Sequence, residues 1–215
     1  MNLISPARLA QTPSPGPGVG VTLGLGFAVL GLFVATQLGC LIVLTTNTMG
    51  RVADLDIEPE DLSEALAQTG LYLSFGGTTS ALVGTLAVLL IVVARKDTTI
   101  ATEIALSRVR HRAIAKWMGL SLLLAALLLL LGWWVGRPPV SPPVVVAYQT
   151  ARGLGWLWFT AVVMAPLFEE FYFRGFLLGG LMRSGLGPSG AVLSTSIVWS
   201  AIHLQYDSFE LGALL

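Results

Sequence analysis

Long apolar runs alternate with short polar ones along this chain, and the runs are too long and too uninterrupted for the amphipathic helices of a water-soluble domain. Val19 to about Leu44, Leu71 to Ala94, Trp117 to about Val135 and Leu154 to Met182 are each predominantly apolar. A helix needs roughly 20 such residues to cross a bilayer, so each run predicts a span. Gly185, Gly187 and Pro188 then break the pattern into a turn at Ser184 to Ser189, and a fifth helix is predicted from about Gly190 to Leu204. Asp207 and Glu210 mark a polar turn, and Phe209 to Leu215 reads as the opening of a further apolar helix that is cut off. The predicted fold is all-α, a polytopic transmembrane helix bundle with about five complete spans plus the start of a sixth. The stop in mid-helix leads to the expectation of a fragment or a truncated product.

The polar segments give the bundle its orientation. Residues 1–18 carry Pro6, Pro13, Pro15 and Pro17 among Ser, Thr and Gly, a composition that buries no core and predicts a disordered tail. The run from Val19 is too long, and lacks the cleavage site, for a secretory signal. Its glycines 20, 24, 26, 31 and 39 predict close helix packing. Thr45 to Gly70 sets Asp54, Asp56, Glu58, Glu60, Asp61 and Glu64 against the single base Arg51. Pro59 ahead of Glu60 and Asp61 predicts a short surface helix there, and the glycine and spaced Glu of a calcium loop are missing. Arg95 to Lys116 is basic, which places it on the cytoplasmic side, the acidic loop outside and the N-terminus inside. Ile100, Ile104 and Val109 hint at an amphipathic surface helix in this connection; His111 lies among its bases and is not read as a ligand. Gly136 to Gly153, with Pro138, Pro139, Pro142 and Pro143, is read as an outside connection rather than a helix.

Composition agrees with a multi-pass protein of the cell membrane, in contact with lipid. Hydrophobic residues make up 54% and charged ones only 11%, far from the roughly 25% charged content of soluble domains. Mean hydropathy is +0.79. The formal net charge is zero, so no basic field argues for a nucleic-acid partner. Cys40, the single cysteine, allows neither an internal disulfide nor a cysteine-ligated metal site and is assigned to packing.

Against this background one stretch is costly. In Ala165 to Leu178, the charges of Glu169, Glu170 and Arg174 lie inside an apolar, aromatic run. A charge at bilayer depth costs on the order of 2.5 to 3.5 kcal/mol on insertion scales, so such groups usually face a cavity and carry function. Glu170 and Arg174 are four apart with the acid first, the favourable order for an ion pair. Glu169 is rotated about 100° away and has no evident partner on its own helix, which makes it the candidate reactive carboxylate. Glu169 and His203 also lie equally far along the chain on either side of Leu186, so antiparallel helices would bring them level.

At these residues the chain resembles the CAAX-processing and bacteriocin-processing (CPBP, or Abi) intramembrane proteases, the type II CAAX endopeptidases. Their Glu-Glu-x-x-x-Arg motif is matched by Glu169, Glu170 and Arg174. Their Phe-x-x-x-His motif is matched by Trp199 to His203, with Trp in place of Phe. A third motif, His followed four residues later by Asn or Asp, is absent. The resemblance covers about Leu154 to Leu215. It divides the chain into the tail, residues 1–18, three N-terminal spans with their loops, residues 19–153, and a partial protease core, residues 154–215.

What the resemblance implies is an intramembrane endopeptidase acting on a membrane-associated, prenylated or otherwise membrane-bound peptide. Glu169 would activate water and His203 would orient that water or polarise the scissile carbonyl, with Glu170, Arg174 and Trp199 in support. Zinc chemistry would make Glu169 and His203 two ligands, but catalytic zinc usually takes three and the sequence offers no third, so a metal-free route is preferred. Two other readings stand beside the enzyme. One is a protease-like membrane scaffold or bacteriocin-immunity protein without turnover. The other is a transporter using Glu, Arg and His as a proton relay, for which the inverted repeat is missing.

Overall fold

The computed structural model describes residues 18–51, 57–95, 110–136, 140 and 142–203. Among them the chain is helical, with no strand. We number seven helices: α1, Val19–Met49; α2, Pro59–Ala67; α3, Gly70–Ala94; α4, His111–Trp134; α5, Pro142–Thr150; α6, Leu154–Met182; and α7, Gly187–Ile202. Helices α1, α3, α4 and α6 are long and apolar enough to cross a membrane, as the hydropathy pattern predicts. Helix α7, the expected fifth span, has 16 residues, and the residues that would extend it to Leu204 or open a sixth helix lie outside the described part. So do the tail, Asp54, Asp56 and most of the basic connection.

Local sequence sets several ends. Pro59 occupies the first turn of α2 and Glu60 and Asp61 follow it, so the missing proline N–H costs nothing and the acids meet the positive helix end. Thr69 caps α3 by accepting from the Tyr72 N–H at 3.2 Å. Helix α1 runs on to Met49, past the expected end near Leu44, because Thr46, Asn47 and Thr48 each bond a carbonyl four residues back, so their side chains do not compete with the helix. Helix α4 likewise starts at His111 rather than Trp117.

One expectation is overturned. The Pro-rich connection of residues 136–153 contains a helix, α5. Its two prolines stand in the first turn, where they are tolerated, and Val144 to Thr150 complete the helix. Helix α5 docks on the start of α3: Ala147 is buried, the Gly70 N–H donates to Thr150 Oγ1 at 2.8 Å, and a Cβ on Gly70 would collide with the Ala147 carbonyl. The glycines of α1 also behave differently from expectation. Only Gly26 lies at a crossing, facing the Tyr172 hydroxyl, while Gly20, Gly24, Gly31 and Gly39 face open space.

Helices α1 and α3 pack against each other, and α6 packs against both. The core holds Val29, Cys40, Ala81, Val88 and Val92 from the first two, and Met164, Phe168, Tyr172, Phe173, Phe176, Leu177 and Leu181 from α6. Phe168 stacks on Phe33 and on Tyr172, at centroid distances of 4.6 and 5.4 Å. Its ring approaches α3 so closely that a Cβ on Gly84 would lie 2.5 Å away, so the glycine makes the seat. The Tyr172 hydroxyl donates to the Gly26 carbonyl at 3.0 Å and pins α6 to α1. Nearer the α6 N-terminus, Thr160 and Thr78 share a hydroxyl bond of 2.7 Å, and Trp156 Nε1 donates to Thr78 at 3.1 Å. By contrast, α4 buries only Gly132, and Trp133 and Trp134 at its end are exposed, as suits interfacial anchors on a lipid-facing helix.

Candidate active site

Helix α6 is not a regular α-helix. It widens into π-helical turns at Thr160–Met164 and again at Glu170–Leu178. Pro166 accounts for the first: its ring would strike the carbonyl four residues earlier in a regular helix, and a wider turn relieves that contact. The second coincides with the charged motif, the kind of place where π-turns concentrate in proteins. Packing of Phe168, Tyr172, Phe173, Phe176 and Leu177 against α1 and α3 fixes how the helix is rotated, which turns the charged residues toward α7.

There they border a cavity of about 350 Å³. Glu169, Glu170, Phe173, Arg174 and Leu178 line it from α6, and Val192, Thr195, Ser196 and Trp199 from α7. Arg174 Nη1 donates to Glu170 Oε1 at 2.6 Å, the i, i+4 pair that the spacing predicts. Both members are exposed at the mouth, 76% for the Arg174 side chain and 54% for Glu170. Charges so exposed at bilayer depth require water or protein on that side rather than lipid tails.

Glu169 is less exposed and reaches the neighbouring helix. Trp199 Nε1 donates to Glu169 Oε2 at 3.4 Å, a long hydrogen bond of the sort that tightens when substrate closes a site. Trp199 therefore does more than wall the cavity: it is the α7 contact of the carboxylate. His203, at the C-terminal cap of α7, stacks on Trp199 with ring centroids 4.0 Å apart, and its Nδ1 lies 2.7 Å from the Trp199 carbonyl. A carbonyl only accepts, so Nδ1 is the donor in this contact. The chain of contacts runs from Glu169 to Trp199 to His203, and His203 adjoins the cavity through Trp199.

Phe173, Leu178, Val192, Thr195 and Ser196 complete the wall and were not singled out from sequence. Spacing held the signal for Thr195, since 195, 199 and 203 recur every four residues and share a helix face. Among the described residues no group of three or more His, Cys, Asp or Glu side chains is placed to hold a metal ion. They do not fit a catalytic zinc with three protein ligands.

Comparison with known proteins bears on this same pair of helices. Residues 151–215 match the Rce1-like type II CAAX prenyl endopeptidase family. The match agrees with the resemblance carried by Glu169, Glu170, Arg174 and His203, and the Rce1-like segment contains every residue of the cavity wall. No curated protein and no solved structure matches the chain.

Proposed function

We propose that this protein is an intramembrane endopeptidase that hydrolyses a peptide bond near the end of a membrane-bound, prenylated substrate, with Glu169 as general base. The observation that carries the reading is a carboxylate in the wall of a cavity between two helices, held from across it by Trp199, inside the Rce1-like segment. Glu169 takes a proton from water, the resulting hydroxide attacks the scissile carbonyl, and the proton passes on to the leaving amine. Trp199 orients the carboxylate and His203 holds the Trp199 ring in place. With Nδ1 donating to the Trp199 carbonyl, His203 acts through Nε2, orienting the water or polarising the scissile carbonyl. The Glu170–Arg174 pair keeps a positive and a negative charge at the mouth without a net field.

Arg110, Arg112 and Lys116 at the start of α4 support a cytoplasmic placement of that end, and with it of the N-terminal end of α1, by the positive-inside tendency. The test is to incubate the protein in lipid nanodiscs with a farnesylated CAAX-type peptide and its unprenylated counterpart, and to identify products by mass spectrometry. Release of the last residues from the farnesylated peptide supports the proposal. Intact peptide in the presence of folded protein favours the scaffold reading and ends the enzymatic one.

A further inference from the structure

Hydroxyl side chains inside apolar helices ordinarily bond the carbonyl one turn back, which satisfies them without a partner from outside the helix. Thr36, Thr46, Thr48, Ser74 and Thr79 all do so here. Among the described residues, five buried hydroxyls have no hydrogen-bond partner: those of Thr22, Thr45, Thr85, Thr195 and Ser200. Of these, Thr195 alone lines the cavity that holds Glu169. It is 8% exposed, so bulk water does not compensate it, and it stands one turn before Trp199 on the same face of α7. A buried, unsatisfied hydroxyl is a cost to the fold, and such costs persist where a site uses them.

Among the other described donors around the cavity, the Trp199 indole N–H is taken by Glu169 and one Arg174 N–H by Glu170, while Arg174 and Ser196 are exposed, so Thr195 is the buried donor of the wall left without a partner. We infer that Thr195 is a substrate-binding residue whose hydroxyl, covered by its neighbours in this structure, turns about χ1 to donate to a backbone carbonyl of the peptide held in the cavity. The assignment rests on the peptidase reading of the site and names a contact which that reading leaves open.

Thr195→Val keeps the shape and removes the hydroxyl, and Thr195→Ser keeps the hydroxyl. Cleavage of the farnesylated peptide and thermal unfolding are measured for both, with wild type and Glu169→Gln alongside, in the same nanodiscs. One lost hydrogen bond to a neutral group lowers kcat/KM by about 10- to 100-fold in Thr195→Val, and Thr195→Ser restores it to within about threefold of wild type. Thr195→Val melts at or above the wild-type temperature, because it removes an unsatisfied group rather than a contact. A purely structural hydroxyl gives the opposite pattern, a lower melting temperature in Thr195→Val with kcat/KM per folded molecule unchanged, and overturns the assignment. Full activity in Thr195→Val beside an inert Glu169→Gln also overturns it while leaving the peptidase reading intact. Full activity in Glu169→Gln refutes Glu169 as the base, and no activity in the wild type refutes the peptidase reading; either takes the assignment, which rests on that site, with it.

Discussion

One side of helix α6 is aromatic and packed, and the other is charged and open. One presents Phe168, Tyr172, Phe176 and Leu177, each almost fully buried against α1 and α3 and seated on the close approaches at Gly84 and Gly26. The other presents Glu169, Glu170 and Arg174 to an open cavity shared with α7. In lipid, helix association gains little from the hydrophobic effect and depends on packing and interhelical hydrogen bonds. The aromatic side meets that demand, and by fixing the rotation of α6 it lets the charged side stay exposed. Stability and chemistry are thus placed on opposite sides of the same few turns, and substitutions on each side are expected to change different observables.

Short of removing the Glu169 carboxylate, the largest effect is expected from Phe168→Ala. It empties the stack between Phe33 and Tyr172 and is expected to destabilise the fold by about 3 kcal/mol, the low end of the range for Phe→Ala in soluble cores, since in lipid the transfer part of that cost is largely lost. Denaturation of the purified protein in mixed micelles measures it. On the opposite side, Glu169→Asp retracts the carboxylate by one methylene, and a displacement of that size costs about 100-fold in rate while leaving unfolding unchanged. Trp199→Phe keeps an aromatic ring beside His203 and removes the indole N–H, so a loss of about tenfold in kcat is expected, with the melting temperature unmoved. Tyr172→Phe is the smallest: the hydroxyl bond to the Gly26 carbonyl is an interhelical hydrogen bond, and its loss is expected to cost about 0.6 kcal/mol of stability and nothing in turnover per folded molecule.

How far this division is legible in the sequence differs between the two sides. The ion pair follows from the four-residue spacing of Glu170 and Arg174, and the short α2 follows from Pro59 and the acids behind it, because both are local effects within one helical turn. The four long spans follow from run length alone. Helix α5 was missed because a run of prolines reads as a break; what makes residues 142–150 helical is docking of Ala147 and Thr150 on α3, a tertiary contact. Likewise, five glycines in α1 look equivalent along the chain, and only the crossing with Tyr172 distinguishes Gly26. The equal spacing of Glu169 and His203 about Leu186 points to the right pair of helices, and the contact of the carboxylate itself falls one turn earlier, on Trp199. A register of one turn depends on where the connection bends and on the wide turns of α6, neither of which hydropathy records.

The central claim is that the Glu169 carboxylate serves turnover and not the fold. Its most direct test is the initial rate of farnesylated-peptide cleavage by Glu169→Gln and wild type in the same nanodiscs, with thermal unfolding recorded on the same samples. The account predicts a rate lower by about 10²- to 10⁴-fold, the usual contribution of a general base, at an unchanged melting temperature. Wild-type rates in Glu169→Gln, or a loss of activity that merely follows a loss of folded protein, would contradict it.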